Sequence, residues 1–107
     1  MARYFDCPYL GASVELTDER EAYVRTKHPE VFAGARDYLR ETLDDPEVVQ
    51  RDRQHPGTRL FGRWYDDLVH GEYLIVAVVS DTSPSRHWIV TAFVARRLGR
   101  GAIEWQR

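Results

Sequence analysis

A chain of 107 residues, 43% hydrophobic and 30% charged, suffices for one small globular domain and leaves no room for a second core. No apolar run reaches the ~18 residues of a membrane-spanning helix, and a formal net charge of −2 weighs against a general nucleic-acid binder. The single cysteine, Cys7, excludes a disulfide within these residues and a cysteine-based zinc site.

The charge is unevenly spread. Residues 1–50 hold 6 Lys and Arg against 11 Asp and Glu, giving −5, and residues 51–107 hold 9 Arg against 6 acids, giving +3. A basic back half permits a local anion site, and a mixed solvated surface is the plain alternative. The first residues carry no apolar run long enough for a signal peptide. The expectation is a cytoplasmic protein, or an effector delivered without such a signal.

Taken in order, Ser13–Leu16 is a short strand candidate. Thr17 then stands before Asp18, Glu19 and Glu21, a hydroxyl cap followed by acids in the first turn, which predicts a helix to about Lys27. His28 precedes Pro29, so the helix breaks there and a second begins on the proline. Val31, Phe32, Ala35, Tyr38, Leu39, Thr42 and Leu43 give that second helix an apolar stripe. Asp44-Asp45-Pro46 ends it.

The period then becomes two. Strands are predicted over 47–51, 58–65, 73–80, 87–97 and 102–105, separated by the turns Gln54–Gly57, Asp66–Gly71, Asp81–Ser85 and Gly99–Gly101. Short connections imply antiparallel neighbours. The predicted fold is α+β, with two N-terminal helices packed on one face of a four- to five-stranded antiparallel sheet. The strand His87–Arg97 is apolar on both faces and belongs at the centre, with Thr91 its one central polar residue.

Metal and cofactor chemistry finds little support. The histidines at 28, 55, 70 and 87 form no HxH, HExxH or His/Cys cluster, and no P-loop, GxGxxG or GxSxG is present. No metal and no cofactor are expected.

Four features stand out. On the strand 58–65, Arg59, Phe61, Arg63 and Tyr65 share one face by alternation. Guanidinium groups bind phosphate and aromatics stack on bases, although packed aromatics and snorkelling arginines explain the pattern equally. His28, between two helices, has an imidazole suited to acid/base work and a place near helix N–H groups, or is a plain capping residue. Glu30 is a general base or a first-turn acid. Thr91 is a phosphate-oxygen ligand or an ordinary strand residue, and even spacing puts His87 on the same side of that strand.

The runs Tyr23–Glu30, Tyr38–Val49, Arg59–Tyr65, Tyr73–Val79 and Trp88–Phe93 together resemble the phage-type branch of the barnase–EndoU–colicin–RelE-like nucleases, over about residues 14–106. The most specific parts are His28-Pro29-Glu30 with Glu41-Thr42-Leu43, and Ile89-Val90-Thr91-Ala92-Phe93. Gly62 departs from the pattern, standing where relatives often carry an aromatic. The resemblance implies a metal-independent endoribonuclease, toxin-like or phage-associated. RNA is its implied substrate, and an antitoxin or immunity protein a possible partner. It carries catalytic roles onto His28, Glu30, Arg63 and Thr91. Arg51, Arg59, Phe61, Tyr65, Arg96 and Arg97 are then the candidates for substrate binding. A non-catalytic module of the same fold, binding nucleic acid or protein, is the alternative.

Overall fold

The computed structural model describes residues 1–68, 71–99 and 101–107. His70, in one of the predicted turns, and Arg100, in another, lie outside them.

The order of elements is β1 (Arg3–Cys7), β2 (Ala12–Leu16), α1 (Asp18–Lys27), a 3-10 turn (Pro29–Phe32), α2 (Tyr38–Asp44), β3 (Val48–Arg51), β4 (Thr58–Tyr65), β5 (Glu72–Thr82), β6 (Ser85–Ala95) and β7 (Ala102–Gln106). All seven strands form one sheet, in the order β1-β2-β6-β5-β4-β3-β7. Every pair is antiparallel except β2 with β6, which meet in parallel at Glu15 and Trp88.

The predicted four- to five-stranded antiparallel sheet is therefore corrected to a seven-stranded mixed one, and a β-hairpin precedes the helices. The strands added to the predicted sheet are β1, which was not expected, and β2, which contains the strand candidate Ser13–Leu16. Arg3-Tyr4-Phe5-Asp6-Cys7 alternates, with Phe5 and Cys7 buried against Val14 and Leu16 of β2. This hairpin buries its apolar face only by extending the sheet beyond β6. The predicted second helix is also shorter. The chain makes a single 3-10 turn at Pro29–Phe32, passes through Gly34 at φ +76°, and starts α2 only where the Asp37 side chain accepts from the Arg40 amide.

One face of the sheet carries the core. Phe61, Leu74, Val76, Val78, Ile89 and Ala92 meet Val24, Val31, Leu39 and Leu43 from the helical segments. α2 lies against β1, β4 and β5, while α1 and the 3-10 turn lie against β6. No helix among the described residues is long and apolar enough to cross a membrane.

The opposite face is crossed by the chain between β6 and β7. The buried Gln50 donates from Nε2 to the carbonyls of Gly99 and Gly101, at 3.0 Å each. Leu98 reaches the backbone of Gly62. A Cβ on Gly62 would stand 3.0 Å from Val48 Cγ1, 3.2 Å from Ile75 Cδ1 and 3.4 Å from Leu98 Cδ2. Val48 and Ile75 therefore crowd this position, with Leu98 just beyond them, and a bulky aromatic there would have to displace all three.

Candidate functional site

Residues paired across neighbouring strands share a face, and faces alternate along a strand. Arg59, Phe61, Arg63 and Tyr65 do share one, and it is the covered, helix-bearing face. Phe61 is 0% and Tyr65 3% exposed. The Tyr65 hydroxyl meets Thr42 Oγ1 at 2.9 Å, and its ring packs edge-on to Tyr38. Neither ring offers a surface to a base, so their assignment to substrate stacking is corrected: both are core.

Arg63 is held against the end of α2. Its Nη1 lies 3.4 Å from the Glu41 carbonyl, 3.5 Å from the Asp45 carbonyl and 3.8 Å from Asp45 Oδ2. The Glu41 carbonyl already accepts from the Asp45 amide at 3.0 Å, so Arg63 adds a cation at the negative end of α2. His28 is the C-cap of α1, its amide donating to the Val24 carbonyl at 2.7 Å. Its Nδ1 stands 3.7 Å from Glu30 Oε1 and its ring 6.1 Å from that of Phe93.

Thr91 pairs with Ala77, and Phe93 with Ile75, so both lie on the face opposite the core. The structure thus brings His28 and Glu30 together at the β6 margin, near the face of Thr91. Arg63 lies on the other side of the sheet. The four residues do not converge. Arg96 and Arg97 are exposed beyond the end of β6, and neither makes an ion pair among the described residues.

A different set converges on the helix-bearing face, at the end of the sheet away from Arg63. In β6 a bulge leaves Val90 without a partner, since Ala77 pairs with Thr91 while Val78 pairs with Ile89. The extra residue reverses the alternation, so His87 falls on the face opposite Thr91, contrary to even spacing. His87 pairs with Ser80, and its Nδ1 lies 2.6 Å from Ser80 Oγ. Arg59 follows on β4, opposite Val78, and Arg51 on β3, opposite Arg59.

A second bulge ends the row. Val49 pairs with Trp105 but Gln50 with Ile103, leaving Glu104 as the extra residue on β7. Its carboxylate accepts from Arg51 Nε at 2.9 Å and Nη2 at 2.6 Å, from Arg59 Nε at 2.8 Å, and from the Tyr9 hydroxyl at 2.5 Å. Tyr9, in the β1–β2 turn, packs edge-on to Phe61 at 5.9 Å and against Trp105 at 6.0 Å.

Burial pushes the Glu104 carboxyl up, but the hydrogen bonds from Tyr9, Arg59 and Arg51 outweigh it and pull it down to about 2. Glu104 is thus an anion at neutral pH. The same pair raises Tyr9, whose phenol burial and Glu104 both disfavour ionising. Cys7 is buried beneath this region, and burial raises its thiol despite the Arg59 charge, which disfavours the thiolate.

The row reads His87, Ser80, Arg59, Arg51, Glu104 across five adjacent strands, with Tyr9 above it. Among the described residues, the two terminal nitrogens of Arg59 and the Nε2 of His87 have no protein hydrogen bond. Also among the described residues, no three His, Cys, Asp or Glu side chains assemble as a metal-ligand group. Sequence reasoning named Arg51 and Arg59 but missed Tyr9, Ser80 and Glu104, whose meeting depends on the two bulges. No family model, curated protein or solved structure matches this chain.

Proposed function

We propose that the chain is a metal-independent endoribonuclease that cleaves by transphosphorylation, with its reaction centre at the His87–Arg59 end of the row. The observation that carries this is the alignment of an imidazole, a hydroxyl and two guanidinium groups on one open end of a sheet face. Arg59 presents its unpaired nitrogens to the non-bridging oxygens of a phosphodiester, where a planar cation binds two oxygens at once.

With Nδ1 donating to Ser80 Oγ, His87 has Nε2 as acceptor. That nitrogen takes the proton of the ribose 2′-hydroxyl as the 2′-oxygen bonds to phosphorus. The bond from phosphorus to the 5′-oxygen breaks, and water protonates the leaving oxygen. The products are a 2′,3′-cyclic phosphate and a 5′-hydroxyl. Arg59 offsets the charge gathering on the phosphorane, an effect worth on the order of 3 kcal/mol for a preorganised donor. The resemblance to nucleases supports the same chemistry but points to His28, which stands apart from both arginines.

The test is cleavage of total RNA in EDTA by the wild type, His87→Ala and His28→Ala. Cleavage lost in His87→Ala and kept in His28→Ala is the expected result. Loss in His28→Ala alone moves the centre to the β6 margin.

A non-catalytic module binding RNA through the same row is the second reading. It is favoured by one observation: Glu104 already neutralises one of the two arginine charges. Wild type that binds RNA and never cleaves it would establish that reading.

A further inference from the structure

We propose that the phosphate site formed by Arg51, Arg59 and Tyr9 is self-occupied, with the Glu104 carboxylate standing where a second phosphate of an RNA strand binds once β7 shifts. This rests on the nuclease or RNA-binding reading of the row and adds its regulation.

The geometry is that of an anion in its site. Four donors from three separate segments converge on one carboxylate. Three belong to two guanidinium groups, which fit carboxylate and phosphate alike, because both present paired oxygens at similar spacing. Neither arginine side chain is fully buried: exposure is 41% for Arg51 and 22% for Arg59.

The carboxylate is delivered by a bulge, not by the regular ladder. The extra residue sends Ile103 and Trp105 to opposite faces and turns Glu104 towards Arg59. The strand that carries it is well suited to move. β7 is an edge strand, exposed along all five residues and paired with β3 alone. Glycines 99 and 101 lie in the connection before it. An edge strand with so little buried surface opens at a lower free energy than the core strands.

With Glu104 in place the two arginines and the carboxylate sum to one positive charge. With it displaced they present two, facing adjacent phosphates of a strand. The alternative role for Glu104 is that of general base, and the two roles predict opposite effects of the same substitution.

The experiment uses the full chain and a fluorescent 2′-O-methyl oligoribonucleotide, which binds but cannot be cleaved through its 2′-oxygen. Anisotropy is followed through a salt titration for the wild type, Glu104→Gln, Tyr9→Phe, Arg59→Ala and the double variant Glu104→Gln/Arg59→Ala. Glu104→Gln is expected to bind about tenfold tighter, with a salt slope steeper by about 0.7, the value for one more neutralised phosphate of a single strand. Tyr9→Phe, which loosens the carboxylate and leaves both cations, is expected to show a smaller gain in the same direction. It decides the matter should Glu104→Gln fold poorly. Relative to Arg59→Ala alone, the gain is expected to shrink in the double variant, where Arg51 is the arginine freed.

Equal or weaker binding by both Glu104→Gln and Tyr9→Phe overturns the proposal. So does a gain undiminished by loss of Arg59. Cleavage of ordinary RNA is measured alongside. Loss of cleavage in Glu104→Gln, without tighter binding, assigns Glu104 as the base and overturns self-occupancy. If no variant cleaves but Glu104→Gln binds tighter, catalysis fails as a proposal while the self-occupied site stands.

Discussion

Arg59 Nε donates to Glu104 Oε2 at 2.8 Å, joining β4 to β7 across the intervening β3. This contact ties the last strand to the sheet through side chains, where the ladder alone pairs it with β3. Its consequence is a stability that depends on acid. The Glu104 carboxyl, ordinarily near 4.5, is held at about 2 in the folded chain. Between these values the unfolded chain binds the proton and the folded chain does not, so protonation favours unfolding. The stabilisation is complete above about pH 4.5 and is lost as pH falls towards 2, an effect of about 1–2 kcal/mol for a partly solvated group. The urea midpoint of the wild type is expected to fall across this window more steeply than that of Glu104→Gln. Parallel curves for the two would remove Glu104 from the acid transition. Glu15, Glu41 and Asp67, each lowered by a neighbouring arginine, contribute equally to both.

His87→Ala is expected to reduce RNA cleavage at least ~100-fold, the range for a lost general base. Its melting temperature is expected to change by a few degrees at most, since the imidazole is half-buried and, among the described residues, bonded only to Ser80. Retained cleavage at wild-type rate would remove His87 from the reaction. Ser80→Ala tests its partner: a fall in kcat with KM unchanged marks Ser80 as positioning the imidazole.

The nuclease resemblance gives Arg63 a catalytic role, and its contacts predict a different loss. Arg63→Ala is expected to destabilise the fold by about 1–2 kcal/mol, because the carbonyls of Glu41 and Asp45 lose a charged donor. Specific activity of the folded fraction is expected to remain. Activity lost with an unchanged denaturation midpoint would return Arg63 to the site.

Phe61→Ala separates the core from the surface in the same way. The ring is fully buried under Tyr9, and its removal is expected to cost about 3–5 kcal/mol. Oligonucleotide affinity of the folded protein is expected to change only through movement of Tyr9. A loss of affinity without a loss of stability would contradict the core assignment.

Gly62→Ala places a methyl 3.0 Å from Val48 Cγ1, under the chain that crosses to β7. Overpacking of this kind costs about 1–3 kcal/mol. Thermal unfolding that leaves the midpoint unchanged would show that Leu98 and Ile75 yield freely.

Local alternation was legible in the sequence, and it was sound where the ladder is regular. Thr58–Tyr65 forms a strand with those bounds, and its four residues from Arg59 to Tyr65 share a face. Thr17 caps a helix that ends at His28, because a hydroxyl cap, first-turn acids and a following proline act over a few residues. Alternation does not say which face the helices cover, and here they cover the one with the aromatics. It also fails at a bulge, because the extra residue is set by pairing with a partner strand. Val90 reverses the sense of His87, and Glu104 is turned onto two arginines more than forty residues before it. The sequence by itself therefore determined the bounds of α1, the end of α2 and the regular period of β4, since these depend on near neighbours. Only the tertiary structure decided the seven-stranded order, the covered face and the meeting of His87, Arg59, Arg51 and Glu104, since these depend on which strands pair and in what register.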